Sequence, residues 1–330
     1  MLKQTLRHTA RTLALAGLIG VLACTSALAQ TYPAAKPIRV IIAFPPGGPS
    51  DAIGRVVFQE MSKRIGQSMV IENRPGAGGN IATDALIAAP ADGYTLLYAS
   101  SSIALSPTLY KRTDLDPTKV LAPVGCSVSV PQLLLVRKDQ PVNTAAELVS
   151  LIKANPDKYF QGSSGSGQID HLVGQIFLHE LGLKFTHVPY KGNGPAFTDL
   201  LAGNITFMFA GAFNSALPFI KDGRVKALAI TSKKRAGVLP EVPSLNETVM
   251  KGFDSSTWQA LVAPAATPPA VLRTLNENLN ASLAAPAVKE SLFQQGAEII
   301  SGPPAQCAEF IKKEYGRWAE VIHKYDIHVD

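Results

Sequence analysis

Residues 38–51, IRVIIAFPPGGPSD, constrain the chain more than any other stretch. Ile38 to Phe44 are almost all apolar and read as a buried strand, which Pro45, Pro46, Gly47, Gly48 and Pro49 then stop. Ser50 and Asp51 stand where a helix would begin. A strand that breaks into a Gly-rich turn and feeds a helix N-terminus aims free backbone N–H groups at one point. That geometry holds an anion without any basic side chain. The loop reads as half of a carboxylate-binding cleft, and the rest of the chain has to supply the other half.

With 330 residues, 46% of them hydrophobic and 17% charged, the chain can bury a large core and is long enough for about two domains. Residues 1–29 are read as a secretory signal peptide. Lys3, Arg7 and Arg11 form a basic start, residues 13–23 are an apolar run, and Ala27-Leu28-Ala29 is a small-x-small cleavage signal before Gln30. The run is well short of the ~20 residues that a membrane helix needs. A lipoprotein signal ending at Cys24 is the competing reading, weakened by Leu22 as a mediocre lipobox residue. Export places the mature chain in the periplasm. Removing the three cations lowers the formal charge from +6 to +3, too small an excess to argue for nucleic acid. Cleavage also removes Cys24. Cys126 and Cys307 remain, 181 positions apart; an oxidising compartment permits them to pair, but with nothing else linking them two buried free thiols is the favoured reading.

Periodicity gives the architecture. A helix from about Asp51 carries Ile53, Val57, Met61 and Ile65 at four-residue spacing and ends at Gly66. Residues 69–72 form the next strand. Residues 74–79, RPGAGG, make a second strand-to-helix turn, with Asn80 as the cap of a helix over 81–89. Residues 95–99 are a third strand, followed by Ser100, Ser101 and Ser102. Three βα units with short turns argue for a parallel sheet covered by helices. Beyond residue 137 a second βα series builds another sheet, a strand over 258–262 follows, and only helices remain to the end. A helical tail packs most simply on the first sheet. The expected fold is therefore two α/β lobes joined by two crossings: lobe 1 from 30–128 and 256–330, lobe 2 from 129–255.

Enzyme signatures fail one by one. Gly162-Ser163-Ser164-Gly165 is not a nucleophile elbow, Gly165-x-Gly167 meets Asp170 where a dinucleotide loop needs glycine, and His179-Glu180 meets Leu183 where a zinc site needs histidine. The six histidines have no metal-ligand spacing. What remains is a set of small, polar loops that each follow a strand: 46–51, 100–102, 162–167 and 210–215. One such loop is ordinary turn chemistry. As a set they lie beyond the carboxyl ends of strands, where open α/β sheets bind ligands, and offer hydroxyl and N–H donors. His171 reads either as a ligand contact or as a hydrogen-bonded structural histidine, Asp51 as a cap or a contact, and Arg74 as the surface partner of an acid.

Six segments resemble the periplasmic substrate-binding receptors of the tripartite tricarboxylate transporter family, the Bug-type receptors. They are YPAAKPIRVIIAFPPGGPSD (32–51), VIENRPGAGGNIA (70–82), AAPADGYTLLYASS (88–101), HLVGQIFLHELGLKFTHVPYKGNGPAFTDLLAG (171–203), VKALAITSKKR with LPEVPSLNE (225–247), and WQALVAPAATP (258–268). The resemblance implies a type II periplasmic-binding-protein fold that closes on a small organic acid. It also implies a receptor without catalysis or cofactor, acting as a monomer and handing its ligand to the two membrane subunits of the transporter. Carried over residue by residue, the carboxylate grip falls on Gly47, Gly48 and Asp51, with Pro46 in the same loop. Ser100 and Ser101 follow the third strand, and Ser163, Ser164, Gly165 and His171 lie in lobe 2. The departure is at Ala210-Gly211, where the family often has aspartate at the second position and this chain has Gly211, with Phe213 close behind. Losing that carboxylate points to a larger or doubly anionic ligand, such as an aromatic or longer-chain dicarboxylate, rather than an amino acid. An exported enzyme using His171 or Asp51, and a ligand-sensing subunit for a membrane kinase, are the rival functions.

Overall fold

The computed structural model describes residues 32–211 and 213–329. The signal-peptide and Cys24 readings lie outside the described residues.

The apolar run after Lys36-Pro37 becomes β1 (Ile38–Ile42), whose side chains are buried on both faces apart from Arg39. Such double burial is what a central parallel strand requires. β1 lies between β2 (Met69–Asn73) and β3 (Thr95–Ser100), parallel to both. Helix α1 (Pro49–Ile65) returns along the sheet with Ile53, Val57 and Met61 buried, and Gly66 ends it in a left-handed conformation. Helix α2 (Asn80–Ile87) is capped by Gly79, at φ 97°, and not by Asn80. Asn80 is the first helical residue, and its side chain instead accepts a hydrogen bond from Ser106 Oγ in α3 (Ser102–Leu109). After the short α4 (Pro117–Val120), the long β4 (Leu121–Pro131) completes lobe 1 together with strands from the C-terminal part of the chain.

Lobe 1 is a mixed sheet in the order β11-β4-β10-β3-β1-β2, in which β10 (Ser256–Pro264) runs antiparallel to β3 and β4, and β11 (Glu298–Ile299) antiparallel to β4. Lobe 2 has the order β7-β6-β8-β5-β9, built from β5 (Leu133–Arg137), β6 (Phe160–Ser163), β7 (Thr186–Pro189), β8 (Phe207–Ala210) and β9 (Val225–Ile230). Its helices are α5 (Ala145–Ala154), α6 (Ile169–Leu181), α7 (Asn193–Ala202) and α8 (Phe213–Lys221). β4 stays in the first sheet through Pro131, so the first crossing falls at Gln132 rather than at residue 129. The chain returns to lobe 1 just after Ser255.

Three helices complete lobe 1: α9 (Pro269–Ala284), α10 (Pro286–Gln294) and α11 (Pro304–Lys324). α11 buries Cys307, Ile311, Trp318 and Ile322 against lobe 1. This packing overturns the reading of two free thiols: Cys126 on β4 and Cys307 on α11 form a disulfide, with their Cα atoms 5.2 Å apart. Sequence separation concealed it, because the enclosed segment contains all of lobe 2 and only the return of α11 brings the two sulfurs together.

Candidate functional site

A cleft of about 770 Å³ opens between the lobes, walled by the loops that follow β1, β2 and β3 on one side and β6, β7 and β8 on the other. Among the described lining residues, Lys191 is the sole cation and Asp170 the sole acid. Recognition in such a space falls to backbone N–H groups, hydroxyls and side-chain amides.

The first loop is shaped from within. Gly47 adopts φ 78°, a left-handed conformation that suits glycine, and its N–H donates to Asp51 Oδ2 at 2.9 Å. The Gly48 N–H donates to the Pro45 carbonyl at 3.3 Å, and Pro49 has no N–H. The Ser50 and Asp51 amides of the first turn of α1 are then the donors left without an intrahelical partner. Asp51 itself is buried and takes no place in the cleft wall. Its carboxylate also accepts from Arg55 Nε at 2.8 Å and Asn73 Nδ2 at 2.9 Å. Burial pushes this carboxyl up, but the Arg55, Gly47 and Asn73 donors together hold it below the usual aspartate range.

The lobe 2 loop has its own aspartate. Asp170 accepts from the backbone N–H groups of Ser164 and His171. Burial raises its carboxyl to about 6 against the pull of these donors. Behind the loop, His171 and His187 stack with ring centroids 4.0 Å apart. His187 Nε2 pairs with Ser163 Oγ at 2.6 Å, and His171 Nδ1 accepts from the Gly167 N–H at 3.1 Å. Burial, with His187 adding to it, lowers His171 to about 3, and burial lowers His187 to about 4. Both rings are neutral scaffolding for the loop.

Of the residues singled out from sequence, Pro46, Gly47, Gly48, Ser100, Ser101, Ser164, Gly165 and Gly211 line the cleft. Asp51, Ser163, His171, Ala210 and Phe213 do not. Ser163 and His171 are turned into the hydrogen-bonded layer beneath the loop. Ala210 faces a smaller apolar chamber beside the cleft. Phe213 is fully buried, with its ring against Gly296 of lobe 1, so it joins the lobes instead of shaping the pocket. Arg74 pairs with Glu72, as a surface partner.

Sequence reasoning missed Tyr110, Lys191, Gln132 and Gln259, all in the lining. Each glutamine left a trace, since each is a lone amide in an otherwise apolar strand run, at VPQLLL and WQALV.

Two α/β lobes hinged by crossing strands around a cleft of loop amides define a periplasmic-binding-protein fold. Residues 53–327 match the family model described as tripartite tricarboxylate transporter family receptor, and the chain belongs to that family of transport receptors, which are not enzymes. Three solved structures are similar over nearly their whole length. Periplasmic binding protein BugD is 34% identical, with 89% of this chain and 99% of that one covered and a TM-score of 0.82. The R. palustris protein Rpa4515 with adipate is 31% identical, with 90% and 99% covered and a TM-score of 0.84. MatC from Rhodopseudomonas palustris with bound malate is 30% identical, with 88% and 99% covered and a TM-score of 0.81. The chain is thus a solute-binding receptor of a family that works in the periplasm with membrane transport subunits.

Proposed function

We propose that this receptor is exported through residues 1–29, captures a dicarboxylate in the periplasm, and delivers it to a two-subunit membrane transporter of the tripartite tricarboxylate type. The favoured ligand is longer or bulkier than a four-carbon acid, and a terephthalate-like aromatic diacid fits this description. Gly211 is the observation that carries the reading. It stands in the cleft wall, and a Cβ built on it would find its nearest neighbours only at 3.9–4.0 Å. The wall at this point is therefore open and uncharged, so a second carboxylate meets no repulsion there and an ammonium finds no counter-charge. Adipate and malate, held by two relatives, are both dicarboxylates. One carboxylate docks on the α1 N-terminus, where charge-assisted N–H···O bonds orient it.

Mass spectrometry of whatever co-purifies, backed by thermal-shift titration with mono- and dicarboxylates, identifies the ligand directly. A Gly48→Val variant tests the docking point. A Cβ on Gly48 lies 3.3 Å from the Pro45 oxygen, so the branched side chain displaces the first loop. Loss of calorimetric binding with a retained melting transition is expected. Unchanged affinity, or tight binding of aspartate or glutamate with none of dicarboxylates, overturns the proposal.

A further inference from the structure

The lobes are joined by more than the two crossing strands. Helix α11 ends at Lys324, where Asp326 at φ 49° and a hydrogen bond from the Ile327 N–H to the Ile322 carbonyl at 3.0 Å turn the chain aside. The residues after this turn meet lobe 2 along α6. At the last turn of α6 the exposed Glu180 carboxylate accepts from Lys324 Nζ at 3.0 Å and from the Tyr325 hydroxyl. The His179 and Tyr325 rings stack beside it, with centroids 5.2 Å apart. Ile327 is buried in the hydrophobic core that also holds Ile169, Leu172 and Val173 of α6. Just before the first turn of α6, a Cβ built on Gly167 would meet Val329 at 3.0 Å, and Leu109 and Tyr110 of lobe 1 at 3.3 and 3.5 Å.

Residues 325–329 therefore follow α6 from its C-terminal end to the loop at its N-terminal end, while α11 fixes them to lobe 1 through Trp318 and Ile322. The position of the Gly167 contact decides what this does. Ser166 and Gln168, on either side of Gly167, line the cleft, as does Tyr110. The tail thus meets lobe 2 at the edge of the cleft, where opening about the two crossings draws the lobes apart. Contacts made there are lost on opening, so they favour the present arrangement over a more open one. We propose that residues 325–329 are a strap that holds the α6 side of the cleft shut and sets how readily the receptor opens. Its strength lies in the packing of Tyr325 and Val329 more than in the ion pair, because Lys324 and Glu180 are both exposed. The inference rests on the two-lobed cleft and not on which acid fills it.

Small-angle scattering and hydrogen exchange on the unliganded protein test the strap without any ligand. Two variants approach it from opposite lobes: Tyr325→Ala with Val329→Ala in the tail, and Glu180→Ala on α6. Each is expected to raise the radius of gyration and to speed exchange in the 162–167 loop, the tail variant more than the Glu180 variant. Protection in β1 and in the buried part of α11 should stay as in the parent protein. Unchanged scattering in both variants, a more compact particle, or faster exchange confined to the end of α11 overturns the strap. The last of these would make the tail a local prop of lobe 1. Calorimetric titration with adipate and malate reads the consequence for binding. A smaller fraction of molecules with both jaws in place lowers the apparent affinity by the same factor, so the tail variant should bind about threefold or more weakly. Affinity equal to or above that of the parent protein overturns the strap and leaves the carboxylate reading standing. If the parent protein binds neither acid, the dicarboxylate reading falls, and scattering and exchange still decide the strap.

Discussion

In lobe 1 the Asp51 carboxylate reaches back four residues to the Gly47 N–H, and in lobe 2 the Asp170 carboxylate reaches back six to the Ser164 N–H. Each aspartate stands in the first turn of the helix that follows its loop, and each fixes that loop by occupying a backbone donor. Their surroundings differ. Asp51 has Arg55 and Asn73 as further donors and stays out of the cleft, whereas Asp170 lines the cleft and has no cationic partner among the described residues. The lobe 1 loop therefore offers an anion its free amides with the nearby negative charge already compensated. The lobe 2 loop meets the same anion with a carboxyl that burial raises to about 6 and no cation compensates, above a pair of uncharged imidazoles. One backbone device thus serves two electrostatic ends: a compensated charge behind free amides on one jaw, an uncompensated carboxyl facing the cleft on the other.

The lobes also differ in how they are held. The Cys126–Cys307 disulfide ties β4 to α11 inside lobe 1, and the segment it encloses carries the whole of lobe 2. By loop-closure entropy a bridge over so long a segment contributes about 4–5 kcal/mol. Reduction, or a Cys126→Ser and Cys307→Ser double variant, is expected to lower the denaturation free energy by that order, the largest effect foreseen. Hydrogen exchange should show the loss in lobe 1, in β4 and α11, more than in α6 or β8. A uniform loss over both lobes would mean that they unfold as one unit.

Next in size is the pair Asp51→Ala and Asp170→Ala. Removing Asp51 leaves the Gly47 N–H and Asn73 amide without their acceptor, at a cost of about 2–3 kcal/mol. Removing Asp170 also strands two N–H groups, but it deletes a carboxyl whose ionisation burial already disfavours, so about 1 kcal/mol is expected. Chemical denaturation of both variants checks the ranking. Equal losses would break the electrostatic distinction between the jaws.

How much of this was legible follows from the kind of signal each feature leaves. Strand-to-helix breaks at PPGGPSD and SSGSG are punctuation, visible wherever Gly and Pro interrupt periodicity, so the loops and the two-sheet plan could be read. Side-chain direction within a loop leaves no such mark. Asp51, Ser163 and His171 belong to the loops by sequence, yet they turn inward to support them, and only the hydrogen-bond partners reveal this. Proximity to Gly211 along the chain suggests a pocket position for Phe213, whereas the backbone seats its ring on Gly296. The disulfide, a contact across 181 positions, had no local trace at all.

Acid sharpens the contrast between the loops. His171 and His187 are held neutral, with values of about 3 and 4 against the 6.5 of a free imidazole, so the unfolded chain binds more protons than the native one below pH 6.5. Their contribution to stability is present above pH 6.5 and is lost as pH falls toward 4. Asp170, raised to about 6 from 3.8, works in the opposite sense, because the native state holds its proton longer and gains stability as pH falls through 6. Two imidazoles outweigh one carboxyl, so a net loss of about 2 kcal/mol is expected between pH 7 and pH 5. Denaturant titrations at the two pH values read it. In His187→Phe the loss should shrink, and an unchanged pH dependence in that variant would place the effect elsewhere.

The smallest effect concerns the wall between the jaws. Gly211→Asp adds a carboxylate to the cleft wall, and the space around its Cβ means that folding stability should change by less than about 0.5 kcal/mol. Binding should change in a charge-dependent way. A dicarboxylate then meets a third negative charge across the cleft from the α1 N-terminus, and its affinity is expected to drop about tenfold. An amino-acid ligand such as aspartate gains a counter-charge for its ammonium, so its affinity should rise by a similar factor. Titration of both ligands against both proteins gives four affinities, and the diagnostic quantity is the crossed ratio. A ratio near one would show that Gly211 is spectator backbone and that the choice between diacid and amino acid is made at the lobe 2 loop, by Asp170.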